Sequence, residues 1–250
     1  MLYQYITDME TDIELSSLFA SAEPSANEES LKTALLKRLG ESHAEEIKAL
    51  THTSALYLFT VYEVESRRTR QLRTLKGIFS YFKAFTDTTH PLYPVLLVIL
   101  ETIFNEFVDL LDGEDQSEMT EAILEDHMEF LIITLCHRFE VLQDISLRYI
   151  CLLLEHYSYL KTNARCLNVL LKCLLTMKIN LKPLNEAPVT LKESEMLMLK
   201  NDTRLHYQLD LPLSSDKLTN VYKKAMSVFS TWMDKGDSQF EEEVLINLQK

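Results

Sequence analysis

Residues 90–112 read HPLYPVLLVILETIFNEFVDLLD. Leu92, Leu96, Ile99, Ile103, Phe107 and Leu110 recur at the three- and four-residue steps of one helical face, while Val95, Val98 and Leu100 fill other faces. A helix that is apolar on more than one side must be sandwiched between neighbours, so this stretch predicts a buried helix in an all-α fold. Pro91 and Pro94 mark its start, because proline is tolerated in a first helical turn. The longest unbroken apolar run of the chain, Leu92–Leu100, lies inside it and contains Pro94. That run is far shorter than the roughly 20 residues a membrane-spanning helix needs, and no membrane association is expected.

Similar helices are expected on both sides. Upstream, Gly40 is a C-cap for a helix that begins near Ser25 or Asn27. Two further helices are predicted over 42–65 and 66–85. In the second, Leu72, Leu75, Phe79 and Phe82 make an apolar stripe, and Arg70 and Arg73 point away from it. Downstream, Asp112-Gly113-Glu114-Asp115 is a turn, followed by helices over 117–138, 140–158 and 162–180. The chain divides into an N-terminal helix or cap (1–25), a helical-repeat core (26–180), a long connector (181–214) and C-terminal helices (215–250). The connector holds Pro183, Pro188 and Pro212 around a short helical piece expected at 192–200. Ser215 or Asp216 caps a helix running to Met233, and Phe240 to Lys250 form an acidic amphipathic segment.

Helices of about twenty residues joined by short turns form consecutive αα-hairpins about 45 residues apart. In hairpin length and leucine pattern, residues 66–180 resemble the armadillo and HEAT class of α-solenoids. The resemblance implies a right-handed superhelix of stacked αα-hairpins with about 9–11 helices. The regular asparagine and tryptophan positions of peptide-binding armadillo proteins are missing, so their groove chemistry does not carry over.

Composition narrows the functional classes. Four glycines and six prolines are too few for the turns of a sheet protein. The formal net charge of −13 disfavours nonspecific attraction to nucleic acid or anionic lipid. Cys136, Cys151, Cys166 and Cys173 sit in apolar helical patterns without a CxxC pair, as free thiols of a reducing compartment do. The N-terminal residues lack the pattern of a signal peptide, and a cytoplasmic or nuclear location is expected. Among seven histidines there is no HExxH and no zinc-type spacing with cysteine. Cys136-His137 and Cys151 with His156 could approach one another, but core thiols beside helix-end histidines are the favoured reading. Phosphate-binding glycine loops and nucleophile elbows are absent. The chain therefore reads as non-enzymatic, with no catalytic residue, cofactor or metal.

Charge is distributed unevenly. Between Lys83 and Arg138 there is no lysine or arginine but there are twelve acidic residues, while Arg67, Arg68, Arg70, Arg73 and Lys76 cluster just before. Two partner surfaces follow. A basic ridge of Arg67, Arg70, Arg73 and Lys76 suits an acidic or phosphorylated peptide, because arginine forks pair with bidentate anions. An acidic face of Glu118, Glu121, Glu125 and Glu129, repeating at helical spacing, suits a basic protein. Pairing of the two surfaces with each other is the simpler expectation. The chain reads as a protein–protein interaction module or scaffold subunit of an intracellular complex. It could be a fragment of a longer protein, and its amphipathic terminal helices are suited to homo-oligomer contacts. The alternative is a nucleic-acid-associated factor acting through the Arg67–Lys76 ridge.

Overall fold

A computed structural model describes residues 24–40, 43–85, 88–113, 118–181, 196–197, 207–208, 211–212 and 214–233. Of the expected N-terminal helix over 1–25 only Pro24 and Ser25 fall within these limits. Most of the 181–214 connector and all of Phe240 to Lys250 lie outside the described residues. The fold is all-α, with nine α-helices among the described residues. The one departure is a two-residue antiparallel pair, β1 (Met196–Leu197) with β2 (Tyr207–Gln208), Met196 opposite Gln208. It replaces helix at the centre of the piece expected over 192–200. The chain forms two compact units, residues 1–81 with 88–115, and residues 82–87 with 116–250.

In the first unit α1 (Pro24–Leu39) packs on α2 (Ala44–Lys48) and α3 (His52–Leu72). α1 ends as expected, with Gly40 at φ 88° donating its amide to the Leu36 carbonyl at 2.9 Å. Thr51 caps α3 by accepting the Ser54 amide on its hydroxyl at 3.2 Å. The boundary expected between residues 65 and 66 is absent. Glu65 and Ser66 are buried inside one continuous helix, where each polar side chain has an internal partner. α3 instead stops at Arg73, whose left-handed φ of 51° turns the chain away. Leu72 is consequently 43% exposed, while Leu75, Phe79 and Phe82 are buried beyond the turn, the last two in the short α4 (Phe79–Phe82). The expected single stripe is thus split by the helix end.

α5 (Tyr93–Asp112) packs against α3. Leu96, Ile99, Ile103 and Phe107 are buried on one face, and Val95, Val98 and Leu100 on others. Burial on more than one face is what the run 90–112 implied, while Glu101, Asn105 and Asp109 keep one face exposed, and each buried apolar side chain contributes about 1.5–3 kcal/mol.

In the second unit α6 (Glu118–Leu135) packs on α7 (Glu140–His156) and on α8 (Ala164–Asn180). A 3-10 turn, Ser158–Thr162, joins α7 to α8. Asn163 starts α8 by accepting the Cys166 amide on its side-chain oxygen at 2.9 Å. α9 (Ser215–Met233) lies against α7 and α8, with Trp232 wholly buried. Lys224 of α9 donates to Gln143 Oε1 of α7 at 3.2 Å and contacts Asp144, which ties the two helices together.

Candidate interaction surfaces

The basic segment occupies the last two turns of α3 and the turn after it. Arg68 is turned inward onto Glu65, a carboxylate side chain only 1% exposed, and the Tyr81 hydroxyl donates to the same Glu65 oxygen at 3.2 Å. Burial is the main influence on Glu65 and raises its carboxyl, with the Arg68 charge acting in the opposite sense. Burial and the neighbouring Glu65 push the Tyr81 phenol up to about 12. Gly77 lies over this cluster so closely that a Cβ there would collide with the Arg68 guanidinium and the Glu65 carboxylate. The turn after α3 is therefore fitted around an ion pair.

Arg70 stands further out and pairs with Glu106 of α5, Nη2 to Oε2 at 3.2 Å. Glu106 also accepts from the Tyr62 hydroxyl at 2.9 Å and the Ser66 hydroxyl at 2.7 Å. Arg73 donates to the Arg70 carbonyl. Arg67, Arg73 and Lys76 are half-buried and Arg70 is exposed. The ridge is thus joined to the acidic stretch within its own unit, at a glutamate that belongs to neither proposed surface.

The acidic face on α6 divides in two. Glu118 and Glu121 are exposed. Glu125 is half-buried and accepts from Asn163 Nδ2 at 2.5 Å. Glu129 is buried and held by Arg165 through Nε and through Nη2 at 3.3 Å, while Arg165 Nη1 stands 3.7 Å from Glu125. Tyr159 beside this cluster is pushed up to about 12, first by burial and then by Glu121 and Glu125. Burial, followed by the charges of Glu129 and Glu125, pushes the Cys166 thiol well up. Sequence reading missed Asn163 and Arg165. Their partners lie 36 to 38 residues away, and only the stacking of α6 on α8 joins them.

Of the thiols and histidines expected near one another, Cys136, His137 and His156 make structural contacts. Cys136 donates its thiol to the Ile132 carbonyl, and His137 Nδ1 accepts the Phe139 amide at 3.1 Å. His156 stacks edge-on against Tyr157 at 4.6 Å. Among the described residues, no group of three or more His, Cys, Asp or Glu could hold a metal, and no helix is long and apolar enough to cross a membrane.

Residues 9–208 match the family model described as PI4-kinase N-terminal region. The chain belongs to the PI4-kinase N-terminal region family. No curated protein matches it. The matched stretch of this PI4-kinase N-terminal region holds α1 through α8 and therefore both charged surfaces.

Proposed function

We propose that this chain is a non-enzymatic, armadillo/HEAT-like interaction module of a larger PI4-kinase polypeptide, binding protein partners in the cytoplasm or nucleus. The family match over residues 9–208 supports this reading, since the family is described as the N-terminal region of PI4-kinase. Burial of stacked helices stabilises the module, and exposed charge selects the partner. Glu118 and Glu121 are the acidic positions left open to a basic partner, because Glu125 and Glu129 face Asn163 and Arg165. On the basic ridge, Arg67, Arg70, Arg73 and Lys76 would meet an acidic or phosphorylated peptide. The test is affinity purification of the PI4-kinase polypeptide as wild type, E118Q/E121Q and R67E/K76E. At least one variant should lose a partner the wild type recovers. Recovery of the same partners in the same amounts by all three would remove both surfaces from the account.

A further inference from the structure

α6 and α8 run parallel and out of step. Glu125 meets Asn163 at the start of α8, and Glu129 meets Arg165. The Cys136 thiol, just past the end of α6, is hydrogen-bonded with Cys173. These contacts advance together along both helices, so the first two turns of α6 project beyond the start of α8. The last two turns of α8 project in the same way beyond the end of α6. Each overhang is about 10 Å long.

The two overhangs carry open apolar surface beside charge of opposite sign. On α6, Met119 is 71% exposed, Ala122 is exposed one turn on, and the exposed Glu118 and Glu121 stand beside them. α6 contains no lysine or arginine. On α8, Leu175 is 58% and Ile179 53% exposed, with Leu171 half-buried one turn earlier on the same face. Lys172 and Lys178 flank that stripe on its two sides, and α8 contains no acidic residue. Glu140 and Asp144, on the α7 segment that starts where α6 ends, are both engaged by Lys224. The acidic and basic patches are separated by the length of α6, about 25 Å, too far to pair within one chain.

We propose that a second copy of this chain docks its α6 overhang on the α8 overhang of the first. Met119 and Ala122 then cover Leu175 and Ile179, while Glu118 and Glu121 meet Lys172 and Lys178. Because the two patches differ, the contact is heterologous and every added copy presents a fresh α8 end. The assembly therefore grows rather than closing at a dimer. The inference rests on the reading of Glu118 and Glu121 as an open partner site, and it names this chain's own α8 as the basic partner. Both patches are small, so the association is weak, concentration-dependent and salt-sensitive.

Sedimentation equilibrium of the 250-residue chain at low salt tests this. The average mass should rise with concentration past that of a dimer, and return toward that of the single chain at about 0.5 M salt. E118K/E121K and K172E/K178E should each hold the protein at monomer mass with unchanged helical content. K178E alone, at an exposed position, replaces the second variant if that one loses helix. An equimolar mixture of the two reversals should associate again, since each supplies the sign the other lacks. The proposal is overturned by a chain that stays monomeric at every concentration, or by a mass that stops at the dimer. It is equally overturned by association that either reversal leaves intact, or by a mixture that does not recover. A monomeric chain whose E118Q/E121Q variant still loses another protein in affinity purification would overturn the self-association alone and leave the partner reading standing.

Discussion

Arg165 of α8 lays its guanidinium against the carboxylate of Glu129 on α6, a side chain only 1% exposed, while about half of the arginine itself faces solvent. One end of the pair is therefore dry and the other wet. Breaking a buried pair from one side leaves a charge without compensation, which costs about 3–5 kcal/mol when both ends are buried. Water can reach the Arg165 side, so R165M should cost nearer about 2–3 kcal/mol. E129Q in the same chain should recover much of that loss. Urea midpoints of the single and double variants check both statements.

Two glycines should respond to alanine for different reasons. At Gly77 a Cβ collides with the Glu65–Arg68 pair, so G77A should destabilise the first unit by about 1–3 kcal/mol. Adding E65A/R68A should reduce the extra cost of G77A, since the obstructing atoms are gone. At Gly40 the space is open and φ is 88°, so G40A should cost about 1–2 kcal/mol from backbone conformation alone. That cost should be unaffected by E65A/R68A. Thermal melts of this set distinguish crowding from backbone strain.

Buried titrating groups fix two pH responses. Glu65 is raised above its ordinary 4.5, so the folded state holds its proton more tightly than the unfolded chain does. Its contribution to stability is greatest below the ordinary value and is lost as pH rises through the folded value. The stability of wild type relative to E65Q should fall accordingly as pH rises from below 4.5, measured by urea denaturation at a series of pH values.

Tyr81 and Tyr159 are raised from 10.0 to about 12, so the same sign applies at alkaline pH. Stability from each is intact below 10.0 and is lost as pH rises through about 12. An ultraviolet titration of phenolate should contain a late fraction that shrinks in Y81F and again in Y81F/Y159F.

Much of the helical core could be read from residue types and spacing. The run 90–112 declared a helix buried on several sides, and Gly40 and Ser215 marked helix limits close to the observed ones. The end of α3 was not legible, because Arg73 adopts a left-handed φ that an arginine gives no local reason to expect. The polar run Glu65-Ser66-Arg67-Arg68 looked like a helix start. Its partners, Tyr81 and Glu106, become visible only once the chain is folded back. The acidic face was legible as a spacing but not as a division. Glu118 and Glu129 share one repeat, and only the position of Arg165 on the α8 helix packed against α6 distinguishes the exposed end from the buried one.

Solvent-facing and internally paired charges should separate cleanly in a comparison of stability with binding. E118Q/E121Q alters exposed side chains and should change stability by less than about 0.5 kcal/mol. E125Q/E129Q removes the negative charges that face Asn163 and Arg165 and should change the thermal midpoint of the second unit measurably.

The most direct measurement is quantitative partner recovery on this chain carrying E118Q/E121Q, with its thermal midpoint recorded on the same preparation. The account predicts an unchanged midpoint and a reduced yield of at least one protein partner. An unchanged midpoint with wild-type recovery of every partner would contradict it.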